Sequence, residues 1–95
     1  MQPPELSLDT ARLAAIALAS GRTEEIPRAG NGPRTLLYRV YINEVREIVS
    51  VELLRGPKLP EVEAALARTT RVITPGRLGA DAVPIAAAVE VAVEP

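Results

Sequence analysis

Ninety-five residues, 47% hydrophobic and with a formal net charge of −1 from 11 basic and 12 acidic groups, make one small domain spanning 1–95. That charge balance argues against a general nucleic-acid or anionic-membrane binder, which carries a clear basic excess. With no Cys and no His, a disulfide framework, a thiolate or imidazole metal site and the commonest general base are all missing.

Residues 1–8, with Pro3-Pro4, read as an extended N-terminal arm. Asp9, or Ser7, can cap a helix over 10–20 that Gly21 ends. Leu13, Ile16, Ala17 and Ser20 form its inner stripe, and Leu6 is a possible staple before the cap. Residues 13–19 resemble a short signal-peptide apolar stretch ending in small residues, but Glu5 and Asp9 stand where basic residues belong, which argues against that reading. No apolar run approaches the ~18 residues of a membrane span. Residues 21–34 hold three Gly and two Pro and read as a loop.

Residues 35–54 admit two readings. As a hairpin turning at Asn43-Glu44, or through a four-residue loop 42–45, one face collects Leu36, Tyr38, Val40, Ile42, Val45, Glu47, Val49, Val51 and Leu53. As a helix, the stretch starts near Pro33 and stops at Gly56-Pro57. Face segregation and β-branched content favour the hairpin. Glu47 is the misfit of the inner face and belongs at the hairpin's open end, near solvent or an Arg.

Pro60 then opens a helix over 60–69 with Glu61 and Glu63 at its positive end and Val62, Ala65 and Leu66 inward. Residues 71–74 form a short strand stopped by Pro75-Gly76, and 75–84 a loop. Residues 85–94 alternate, with Ile85, Ala87, Val89, Val91 and Val93 on one side, and read as a strand ended by Pro95, with an Ala-rich helix after Pro84 as the competing reading. The expected fold is a small two-layer α+β domain of order α-β-β-α-β-β, two helices on one face of an antiparallel or mixed sheet. Its expected core is Leu13, Ile16, Leu36, Tyr38, Val40, Ile42, Val49, Val51, Leu53, Val62, Leu66, Val72, Val89 and Val91. With no Phe or Trp in the chain, that core is aliphatic.

Chemistry-bearing residues are sparse. Glu24-Glu25, Glu44/Glu47 and Glu61/Glu63 lack cation-loop spacing. The stretches 30–33 and 76–79 match neither G-x-G-x-x-G nor a P-loop. Ser7, Ser20 and Ser50 have no partner base at suggestive spacing. No cofactor, metal or small-molecule ligand is expected, and no catalytic residue. Ten of the 11 basic residues are Arg, a bias that fits both carboxylate or phosphate recognition and the composition of a GC-rich genome. On the hairpin reading Arg39, Tyr41 and Arg46 share the outer face, with Arg46 opposite Tyr41. Tyr and Arg are common interface anchors, so these three are the candidate partner-binding residues.

The sequence therefore points to a non-enzymatic protein-interaction or assembly subunit, such as a phage or bacterial structural component. It would bind a protein partner or itself through its sheet face and terminal segments. The alternative is a small regulator or inhibitor that binds a larger protein or nucleic acid through the Arg/Tyr patch. Absence of cysteine favours the cytoplasm, or the interior of a virion or other assembly.

Overall fold

The computed structural model describes residues 4–28, 30–74, 77–79 and 81–93. In chain order they form β1 (Glu5–Ser7), α1 (Thr10–Ala19), one 3-10 turn (Thr23–Glu25), β2 (Arg34–Ile42) and β3 (Ile48–Arg55). Then come α2 (Pro60–Thr69), β4 (Arg71–Thr74), β5 (Arg77–Leu78), β6 (Asp81–Ala82) and β7 (Ile85–Val93). The architecture is the expected small α+β domain. Its main sheet has the order β3-β2-β7, with β1-β4 and β5-β6 as separate two-stranded pairs. Every one of these pairings is antiparallel.

Local chemistry explains the helix limits. The Asp9 carboxylate accepts the Arg12 N–H at 3.2 Å, satisfying one of the free donors at the start of α1. Gly21, at φ 75°, turns the chain away after the Ser20 cap. In α2, Pro60 occupies the first turn with Glu61 and Glu63, and Arg68 lies in the last turn, which matches the helix dipole at both ends.

β2 is the central strand, and its alternation sets the layers. Leu36, Tyr38, Val40 and Ile42 point inward and are buried. β7 pairs with β2 along its whole length, from Arg34↔Val93 to Ile42↔Ile85, without irregularity. Helix α1 packs over β7 and α2 over β3, so both helices lie against the same side of the sheet. Leu13, Ala17, Val62, Ala65 and Leu66 meet Val89, Val91 and Val93 there. Each fully buried aliphatic side chain contributes about 1.5–3 kcal/mol relative to exposure.

The hairpin forms, but two residues farther along than expected. Asn43 organises a five-residue turn: its amide N–H reaches the Glu47 carbonyl, and its side-chain oxygen accepts the N–H groups of Val45 and Glu47. Arg46 takes the left-handed conformation at φ 69°. A register shift between Tyr41 and Ile42 then sets Ile42 against Ile48. It turns Ile48 toward the core and Val49 out, so Val49 is 62% exposed rather than a core residue. Val45, 64% exposed, and Glu47 likewise leave the inner face. Glu47 sits in solvent at the turn, not at the open end, and accepts from Asn43 Nδ2.

Three further corrections concern connections. Segment 21–34 is not free of structure: Ile26 is wholly buried, and Arg34 Nη1 holds its loop by donating to the carbonyls of Glu24 and Ile26 at 3.1 and 2.8 Å. The expected extended arm includes β1, which pairs with β4, so 71–74 joins the arm rather than the main sheet. Within 75–84 the chain makes the small pair β5-β6 around Gly79. The Pro75-Gly76 stop, the first three residues of the arm and the Pro95 terminator lie outside the described residues. Of the remaining expected core, Ile16, Val51, Leu53 and Val72 are half-buried against the cluster, and Leu59 and Val93 are added to it.

Candidate interaction face

With both helices on one side, the other side of the main sheet is bare among the described residues. β2 contributes Thr35, Leu37, Arg39 and Tyr41; β3 contributes Ser50, Glu52 and Leu54; β7 contributes Ala86, Ala88, Glu90 and Ala92. Register places these in rows: Tyr41 between Ser50 and Ala86, and Arg39 between Glu52 and Ala88. All four β7 residues are exposed, and Leu54 is 39% exposed. The face is shallow and poor in charge along its β7 side.

Of the three residues expected to form a patch, the fold brings two together. Arg39 and Tyr41 are outward neighbours on β2. Arg46, however, sits in the turn, and Ser50 takes the place opposite Tyr41. The third member of the cluster is Glu52, whose Oε1 accepts from Arg39 Nη1 and from the Tyr41 hydroxyl, both at 3.3 Å. The Tyr41 oxygen, and after it the Glu52 carboxylate, push the Arg39 pKa above its ordinary value. Arg39 and Glu52 are exposed and Tyr41 is half-buried, so this surface cluster adds little to folding. Its charge is internally matched, and no free cationic pair faces outward from it. Glu52 could not be placed there from the sequence because the turn residue sets which β3 side chain meets Arg39.

At the turn end, the face runs into a mostly apolar groove of about 350 Å³ lined by Tyr41, Ile42, Asn43, Val49, Pro84, Ile85 and Ala86. Exposed Val49 forms one wall, a consequence of the register shift.

The other concavities carry less. Between the end of α1 and the start of α2 lies a cavity of about 200 Å³ lined by Ile16, Ser20, Arg22, Lys58 and Leu59, among others. Its cations are already engaged. Arg22 grips Glu25 through two bonds of 2.7 and 2.9 Å and donates to the Lys58 carbonyl; Lys58 Nζ meets Glu63 at 2.7 Å. That grip raises the Arg22 pKa and lowers that of Glu25.

Among the described residues, no group of three or more acidic side chains is placed to hold a metal ion. No helix among them is long and apolar enough to cross a membrane. No protein-family model matches the chain, and no curated protein or solved structure matches it significantly.

Proposed function

We propose that this chain is a non-enzymatic protein-interaction or assembly subunit, such as a structural component of a phage or bacterium, that binds its partners through the outer face of the main sheet and through its terminal segments. The observation that carries this reading is the one-sided cover of the sheet. Antiparallel sheets with one face in water normally alternate apolar-in with polar-out. Here the outward row of β7 has three alanines and a single charge, and Leu54 and Val49 stand exposed on β3. A surface of this kind suits a protein partner better than water.

The alternative, a small regulator or inhibitor that binds a larger protein or nucleic acid through an Arg/Tyr patch, draws less support, because Arg39 is matched by Glu52 and Arg46 stands apart in the turn.

The test is native mass spectrometry and light scattering of the purified chain, together with co-purification from its source cells, for the natural sequence and Leu54→Glu. The expected result is association, with itself or with a co-purified protein, that Leu54→Glu or the edge substitutions below weaken while far-UV circular dichroism is unchanged. A strict monomer that retains no protein partner would overturn the proposal.

A further inference from the structure

The two edges of the main sheet are built differently. β3 carries Ser50, Glu52 and Arg55 and meets β2 with two register shifts, features that blunt an edge against further pairing. β7 has fewer of these. Its nine residues contain no Pro and no Lys, Glu90 is its single charge, and its ladder with β2 runs without a bulge. Among the described residues, no strand pairs with its other side. It presents a row of backbone donors and acceptors about 30 Å long at the usual rise per residue.

We propose that the occupant of this edge is a second copy of the chain, β7 against β7, antiparallel about a two-fold axis, giving one sheet of order β3-β2-β7-β7-β2-β3. This rests on the reading of the chain as an assembly subunit and names its partner. The strand's own pattern favours self-pairing. Inward residues must meet inward residues, so the axis passes through a residue and not between two. An axis at Glu90 sets the two Glu90 carboxylates directly opposite one another, which is unfavourable. An axis at Ala88 draws Pro84, which has no N–H, into the ladder opposite Ala92. An axis at Val89 avoids both faults. It pairs all nine residues, Ile85 with Val93 at each end, and places Glu90 opposite Ala88. The small outward side chains of Ala86, Ala88 and Ala92 leave the approach of the second strand unobstructed.

Symmetry makes the test sharp. Ala88→Glu, at an exposed position, sets a new carboxylate opposite Glu90 of the second copy twice per dimer. It should weaken the dimer about three- to thirty-fold in Kd, read by sedimentation equilibrium or native mass spectrometry over a concentration series. Ala88→Glu combined with Glu90→Lys restores opposite charges at both places and should recover the dimer. Ala86→Glu, which would face Ala92, and Leu54→Glu, on the far strand, should leave it unchanged. A chain monomeric at every concentration overturns the self-pairing, as does a dimer indifferent to Ala88→Glu and broken by Leu54→Glu. In both cases the broader reading survives if a co-purified protein is lost on Leu54→Glu, so the two failures are distinguishable.

Discussion

Raising the pH from about 9 to about 11.5 takes the Tyr38 proton from the unfolded chain before it takes it from the folded one. The side chain is wholly buried on the inner face of β2, and burial, with a smaller contribution from nearby Glu63, pushes its pKa from 10.0 up to about 12. Neither the Tyr38 hydroxyl nor Glu63 Oε2 has a hydrogen-bond partner among the described residues, so a phenolate there would be an anion without a donor. The sign follows from linkage. Below about pH 9 both states hold the proton and Tyr38 adds no pH dependence. Between 10 and 12 the unfolded state binds fewer protons, so stability falls as pH rises. A difference of about two pKa units amounts to about 2.7 kcal/mol in full, of which about 2 kcal/mol is lost by pH 11.5. Urea unfolding followed by circular dichroism at pH 9 and 11.5, on the natural chain and Tyr38→Phe, isolates this share, because every other alkaline effect is common to both. The natural chain should lose about 2 kcal/mol more than Tyr38→Phe over that interval. Glu63→Gln should retain most of the loss, since burial is the larger cause. Equal pH dependence in the natural chain and Tyr38→Phe would refute the reasoning.

Two further substitutions probe the hairpin. Gly56 ends β3 at φ 117°, and a Cβ built there lies 2.6 Å from Cδ2 of wholly buried Leu36. Gly56→Ala should therefore cost about 2–4 kcal/mol, whereas Gly21→Ala, at φ 75° with nothing within 4 Å, should cost only about 1; equal losses in urea unfolding would sink the packing argument. Arg46→Gly relieves a left-handed non-glycine residue at some expense in chain entropy and should stabilise the domain by about 0.5–1 kcal/mol, seen as a higher thermal midpoint. A lower midpoint would mean that the Arg46 side chain does more than occupy the turn.

What the sequence made legible was whatever periodicity and punctuation encode. Asp9 and Gly21 bounded α1, Pro60 opened α2, and the alternation of β2 and β7 picked out their inward faces correctly. The hairpin register was not legible, because it depends on how Asn43 folds its side chain onto the Val45 and Glu47 amides, an interaction with no period. That one local structure, with the register shift after it, exchanged Ile48 for Val49 in the core and Glu52 for Arg46 beside Arg39 and Tyr41. Ile26 escaped notice because a lone apolar residue in a polar segment has no pattern, and its burial relies on Arg34 bonding the loop carbonyls from a distance in sequence.

Alanine is abundant on the surface of the described residues, and its meaning depends on where it stands. In α1 and α2 the exposed Ala11, Ala15, Ala19, Ala64 and Ala67 need no special reason, since alanine is the best helix former. In a strand it is a poor choice: it is depleted there, and it buries little against its cross-strand neighbours. Four of the nine residues of β7 are nevertheless alanine, three of them outward. A compositional bias toward alanine explains why the residue is present, but the same bias acts on β3, whose outward row is Ser50, Glu52 and Leu54 and which has no alanine at all. Both edges lack a further strand among the described residues, and the alanines lie on the one whose ladder is regular and carries a single charge. β7 thus gives up intrinsic strand preference along a ladder that no further strand pairs among the described residues, a loss that a strand added at that edge would offset.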